Sequence, residues 1–432
     1  MKHITFVSSL VVLTAAVALG QGCGTSDGST FDDGHNGSSG SSGGSSSGGF
    51  DPNAVDGGSS RGGDIDGGGD GGGECATASA EAKRIPVYMQ FIVDGSGSMD
   101  GLNSAGTAYV TGEREADPLA PNRPSSPQGM TGRKWIALRG ALSAFFDDLA
   151  AKPDPNFAAG LYLFSSNTPK PANQVDVPIS FVDAAHATAL KSRLLPPIFP
   201  NGGTPLAASM NGQLPFLKAY TPAPPVQSGG KLVLVVMTDG IPTDGKQACL
   251  TAASTALAGT PSVLTFAVGV GDETASASNV YDEVFMGDLA EAGGTAPAGC
   301  NASWSDTNNT GTPCHFQITP GAKTAQQIQA DFLAAVNNIR DIVSSCELAL
   351  DFTSGDVDPT KVNVVYTSGA GQSTQINQDG TNGWTYDNPT APTKVILHGT
   401  SCSALKADPN GKVKIVLGCK TVTGPGPGPD PK

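Results

Sequence analysis

The 432-residue sequence predicts an α/β protein: a doubly wound, mostly parallel sheet with helices on both faces, followed by a small all-β unit. Three observations carry this. The runs Val87–Val93, Lys231–Met237 and Ser262–Val270 are apolar at nearly every position, as in central parallel strands covered on both faces. Stretches with apolar residues at helical spacing alternate with them. Two of the runs end in carboxylate turns, Asp94-Gly95-Ser96-Gly97-Ser98 and Thr238-Asp239-Gly240, at the strand ends where open α/β sheets bind ligands.

Ahead of the first strand the chain does not read as globular. Residues 1–22 have the form of a secretory signal peptide, with Lys2 before an apolar Ile4–Leu19 segment too short to be a spanning helix with flanks. Two processing readings compete. Ala18-Leu19-Gly20 fits an ordinary signal peptidase site, whereas Gly20-Gln21-Gly22-Cys23 is similar to a bacterial lipobox with Gly20 where the pattern has Leu. The lipoprotein reading, with Cys23 lipidated, is favoured because Cys23 directly precedes a long tether. Residues 23–82 form that tether, rich in Gly, Ser and Asp, and 421–432 a disordered Gly/Pro tail. The net charge of −14 and pI near 4.7 argue against nucleic acid, which needs clustered Lys and Arg.

The main domain is expected over 83–345. Residues 100–131 are a polar, Gly- and Pro-rich insertion, long for a connection between strand and helix, and read equally as a specificity loop or a tolerated surface insertion. Trp135, Leu138, Leu142, Phe145, Phe146 and Leu149 then mark an amphipathic helix. Phe157–Phe164 reads as a strand, Val175–Phe181 as a short edge strand, and Ala184–Leu195 as a helix with His186 at its surface. Asn201-Gly202-Gly203-Thr204-Pro205 opens the next helix, with Thr204 as N-cap, Pro205 at the first helical position and an end or bend at Pro215. Gln247–Leu257 and Tyr281–Ala292 read as helices and Cys314–Ile318 as a last edge strand. Ile328, Phe332, Val336, Ile339 and Val343 give a closing helix its buried stripe. Gly240–Lys246 has the letters of a phosphate loop, but Gln247 replaces the Ser or Thr that binds Mg²⁺, and Asp239 and Asp244 would repel phosphate. From 346 to 420, short β-type runs between turn residues predict a small sandwich or meander.

The D-x-S-x-S of Asp94–Ser98, Thr204 in its GGT turn and the T-D-G of Thr238–Gly240 together resemble the metal ion-dependent adhesion site of von Willebrand factor type A domains, over roughly residues 84–345. The resemblance implies that Ser96, Ser98 and Thr204 give oxygens to a divalent cation and that Asp94 and Asp239 hold its waters. The residues support this chemistry by themselves. Hard oxygen donors without Cys or His suit Mg²⁺, with Mn²⁺ and Ca²⁺ as the other hard ions. Neutral hydroxyls leave such a cation electron-poor, ready for a carboxylate from a partner. Singly, each residue is an ordinary turn or cap residue; their order after buried strands is what marks a site.

The function expected is a cell-envelope adhesion or protein-binding module, not an enzyme. Its partner is a protein presenting an acidic side chain, and its membrane contact is only a lipid on Cys23. The chain is then exported, as an outer-membrane or cell-surface lipoprotein, and otherwise periplasmic or secreted. The rivals are a structural envelope protein whose metal steadies the loops and a Mg²⁺-dependent secreted hydrolase; against the latter stand the missing HExxH motif and the absence of a serine elbow in context. Eight cysteines in an exported chain point to disulfides. Cys402 and Cys419 are expected to pair across a hairpin, Cys300 and Cys314 can close a loop, Cys75 and Cys346 can pair if the domain ends lie close, and Cys249 is then the odd thiol.

Overall fold

The computed structural model describes residues 78–102, 114–119, 129–167, 171–196, 198–271, 281–305, 308–344, 346–350, 358–408 and 411–424. The expected signal peptide, Cys23, the tether up to 77 and the tail from 425 lie outside the described residues. The strands in chain order are β1 (Ala78–Ala82), β2 (Val87–Asp94), β3 (Arg114–Ala116), β4 (Met130–Gly132), β5 (Phe157–Phe164), β6 (Val177–Phe181), β7 (Lys231–Thr238) and β8 (Val263–Val270). They continue as β9 (Phe316–Ile318), β10 (Glu347–Ala349), β11 (Val362–Thr367), β12 (Ser373–Ile376), β13 (Trp384–Tyr386), β14 (Lys394–Leu397) and β15 (Lys412–Leu417). The helices are α1 (Arg133–Ala151), α2 (Ala184–Ser192), α3 (Leu206–Lys218), α4 (Lys246–Ala258), α5 (Glu283–Ala292), α6 (Ala325–Val343) and α7 (Gly399–Ala407).

Six strands in the order β6-β5-β2-β7-β8-β9 form one sheet, parallel except for the edge strand β6. Every residue of β2 is buried, and its alternating side chains divide between two cores. Val87, Met89, Phe91 and Val93 face the layer of α1, α2 and α6, where the Phe91 ring meets Phe145 and Phe146 edge-on. Tyr88 and Ile92 face the layer of α3, α4 and α5. β7 divides in the same way, with Val233, Val235 and Met237 on one side and Leu232, Leu234 and Val236 on the other. Two-sided burial is the physical reason for the continuous apolar runs. From β2 the chain crosses by α1 to β5 on one side, while β7, on its other side, is reached through α3 on the opposite face. The loop after Asp94 therefore sits at the topological switch point.

The start of α3 departs from expectation. Pro205, not Thr204, is its N-cap, and neither side chain caps it. Asp244 does so instead, its Oδ1 and Oδ2 accepting the Ala207 and Ala208 amides at 3.1 and 2.7 Å. The segment with phosphate-loop letters is thus a helix-capping loop, and its Lys246 pairs with Asp282. α3 also continues through Pro215 to Lys218, because a proline forfeits one backbone bond and the buried Leu214 and Leu217 hold the last turn against the core.

Beyond Val343, two small sheets, β1-β15-β11-β12 and β10-β14-β13, enclose Leu348, Val362, Val364, Trp384, Val395, Val413 and Ile415. Ala78–Ala82, assigned above to the tether, is β1 and pairs antiparallel with β15, from Ala78↔Leu417 to Ala82↔Val413. The segment ASAEA has too little apolar surface to announce a strand, and its partner lies more than 300 residues away. One helix, α7, packs among these strands through Leu405. Cys402 lies on α7 and is bonded to Cys346, so the expected Cys402–Cys419 and Cys75–Cys346 pairings do not form; Cys419 belongs to a different disulfide. Cys300 and Cys314 are bonded as expected. Cys249 is a buried free thiol, pushed up to about 12 by burial and then by the charge of Asp244. Among the described residues no helix is long and apolar enough to cross a membrane.

This connectivity predicts the non-reducing peptide map. Linked peptides should contain Cys346 with Cys402 and Cys300 with Cys314, and Cys249 should alkylate only after unfolding. A peptide linking Cys402 to Cys419 would contradict the packing of α7.

Candidate metal centre

The turn after β2 is shaped by its own side chains. Asp94 Oδ1 accepts the Ser96 amide at 2.7 Å, and Gly97–Asp100 then closes a 3-10 turn. Ser96 Oγ and Ser98 Oγ stand 2.9 Å apart, and Ser98 Oγ donates to Asp239 Oδ1 at 2.8 Å. Asp94 Oδ2 accepts from Thr238 Oγ1 at 2.5 Å. Four of the five predicted site residues are thereby joined in one hydrogen-bonded chain across the ends of β2 and β7. The fifth, Thr204, enters on a loop latched to the same turn: Gly97 N donates to Gly202 O at 2.9 Å and Asn201 N to Gly95 O at 2.8 Å. A Cβ at Gly240 would stand 2.8 Å from Thr204 Oγ1, so the glycine of T-D-G is a steric requirement of Thr204's position. Ser166, unremarked in the sequence, braces that loop by donating its amide to Gly203 O and accepting the Gly203 amide on Oγ.

All five residues are buried, Asp94 and Asp239 with 0% exposure. Burial, and after it the charge of Asp239, pushes the Asp94 carboxyl up to about 7, against the Thr238 and Ser96 hydrogen bonds that favour its anion. Lys134, the second residue of α1, pairs with Asp239 Oδ2. Nothing in linear spacing ties the start of α1 to the end of β7, so this lysine carries no signal in the sequence. Among the described residues one ammonium faces these two carboxylates, so with both ionised the site carries buried negative charge in excess. Hydroxyl and carboxylate oxygens around that excess are a donor set that fits a hard divalent cation. The group Glu291, Cys300 and Cys314 does not compete for this role, since its two sulfurs are joined in a disulfide.

The insertion at 100–131 is tied to the same turn. β3 and β4 pair as a hairpin, Asp100 Oδ1 accepts the Gly132 amide at 2.8 Å, and Arg114 reaches Asp100 and the Met130 carbonyl. Beside it Arg139 of α1 holds Asp117 through two hydrogen bonds of 2.6 and 3.0 Å, both residues 2% exposed.

No protein-family sequence profile matches the chain, and no curated protein matches it. Solved structures similar to it include the pilus adhesin SpaC from Lactobacillus rhamnosus GG, at 16% identity and a TM-score of 0.39, covering 77% of this chain and 39% of that one. A von Willebrand factor type A protein from Catenulispora acidiphila matches at 13% identity and a TM-score of 0.35, covering 79% and 59%. Proximal thread matrix protein 1 from the mussel byssus, with a zinc-occupied metal ion-dependent adhesion site, matches at 12% identity and a TM-score of 0.33, covering 65% and 52%. The chain spans less than two thirds of the length of each of these structures.

The Asp117–Arg139 pair predicts a pH effect. Burial raises the Asp117 pKa, but the Arg139 hydrogen bonds, the Leu119 amide and the Arg139 charge outweigh it and leave a net depression. A carboxylate depressed on folding contributes stability that is complete above its unfolded value near 4 and fades as pH falls through the folded value. Asp117→Asn should therefore cost about 3 kcal/mol in urea unfolding at pH 7, with the gap to the parent narrowing at pH 3. A gap of equal size at both pH values would show that the pair carries no such linkage.

Proposed function

We propose that residues 83–345 form a von Willebrand factor type A domain whose metal ion-dependent adhesion site captures protein ligands on an exported, envelope-tethered chain. The observation that carries this reading is the buried oxygen cluster of Asp94, Ser96, Ser98 and Asp239 at the switch point, whose two carboxylates, when ionised, carry more negative charge than the paired Lys134 neutralises. Ser96, Ser98 and Thr204 would supply hydroxyl oxygens to the cation, and Asp94 and Asp239 would hold its waters. Mg²⁺ is the ion proposed, with Mn²⁺ and Ca²⁺ as substitutes. When bound, such an ion supplies a Lewis-acidic position for an acidic side chain of the ligand. The chain's part is pre-organisation: the Gly97–Gly202, Asn201–Gly95 and Ser166–Gly203 hydrogen bonds hold the hydroxyl-bearing loops in register before any ligand arrives.

We place it as a binding protein rather than a hydrolase. The described histidines His186, His315 and His398 bond to Ala159 O, Gln317 and Thr385, and none is hydrogen-bonded to the oxygen cluster. The disulfides support export, because such bonds persist in oxidising compartments. A lipid on Cys23 would be the membrane anchor.

Calorimetric titration with Mg²⁺ and Mn²⁺ tests the site. Thr204→Ala and Asp239→Asn should each weaken ion binding by about tenfold or more while the melting transition stays cooperative. Thr204→Ala should lose little stability, since Thr204 caps no helix. The full chain, immobilised and exposed to envelope extracts, should capture protein in Mg²⁺ and release it in EDTA. Capture that persists in EDTA and in both variants would overturn the adhesion reading and favour a structural envelope protein.

A further inference from the structure

Lys134 pairs with Asp239 Oδ2, with side-chain exposures of 15% for the lysine and 0% for the aspartate. The start of α1 is fixed on the turn after β2, which sets where the Lys134 side chain begins. The Gly132 amide is held by Asp100, and a Cβ at Gly132 would stand 2.4 Å from the Asp100 Cα. Trp135 and Leu138 are fully buried, and the Arg133 guanidinium is bound to the Lys323 and Gly321 carbonyls. The backbone of Lys134 is thus anchored on both sides, with its ammonium directed at a carboxylate of the proposed cation site.

We propose that Lys134 is a tethered cation that competes with the divalent ion for Asp239 and so sets the ion affinity of the site; this rests on the cation-site reading. The charge arithmetic favours exchange over coexistence. Asp94 and Asp239 carry −2 when ionised, which one divalent ion neutralises; keeping the ammonium as well would set two cations against one carboxylate in a buried space. The lysine has somewhere to go. Its stem is flexible, its ammonium is strongly hydrated, and its side chain already touches solvent. The ion's arrival then releases the amine, and ion concentration decides which cation holds Asp239.

Two measurements on the full chain test this. By calorimetry with Mn²⁺, Lys134→Met should bind about tenfold more tightly than the parent or better, whereas Lys134→Arg, which keeps the competing charge, should not. Acetylation of the parent at fixed pH needs no variant to fold: labelling of Lys134, read by peptide mass against Lys191 as reference, should rise severalfold with Mn²⁺ and saturate with ion binding. Equal Mn²⁺ affinity in the parent and Lys134→Met, with Lys134 labelling indifferent to Mn²⁺, would overturn the competition while leaving the cation site standing. No Mn²⁺ binding to either protein would overturn both.

Discussion

Asp94 and Asp239 end neighbouring parallel strands with no exposure to solvent, and two like charges so placed are costly unless polar groups and counter-charge hold them. The surrounding loops are arranged around that constraint. Thr238 and the Ser96 amide serve Asp94; Ser98 and Lys134 serve Asp239. Each of these contacts depends on the register of β2 against β7, which sets Val93 beside Met237 and so brings Thr238 to Asp94. A slip of one residue would move a strand's side chains from one core to the other, which the packing of the two cores prevents. The site is precise because the sheet beneath it is close-packed on both sides.

A second layer of polar contacts keeps the loops from relaxing. Asp100 receives the amide that opens α1, Arg114 ties the β3–β4 hairpin to Asp100, and the buried Asp117–Arg139 pair pins that hairpin to the helix. Buried ion pairs of this kind add little net stability compared with apolar packing, but they are strict about geometry. They fix how α1 approaches the turn, and so where Lys134 reaches.

The opposite end of the sheet is organised by Arg84. It bridges to Leu348, donates to the Asp408 carbonyl at 2.6 Å and pairs with Asp154 ahead of β5. With β1 in the same small sheet as β15, the entry to the large sheet and the exit from α6 meet in one small unit. That unit adjoins the N-terminal ends of the parallel strands, away from the candidate cation site at their C-terminal ends, and leaves that site's loops to the large sheet alone.

The sequence by itself determined the doubly wound sheet and the candidate ligands. Strands buried on both faces must be apolar throughout, and metal-binding loops must carry oxygen donors where those strands stop; both leave local signatures in Phe91–Ser98 and Val235–Gly240. Tertiary structure alone decided what depends on pairs distant in the chain. Thr204 lost its expected capping role because Asp244, on another loop, reaches the first amides of α3. Cys402 chose Cys346 because it lies on a short helix with weak apolar periodicity, not on the hairpin expected to carry it to Cys419. β1 is a strand only because β15 supplies its hydrogen bonds, and Lys134 is a cation of the site only because α1 folds back onto the turn. Such contacts leave no periodicity to read, since their energy comes from groups that meet only after the chain has folded.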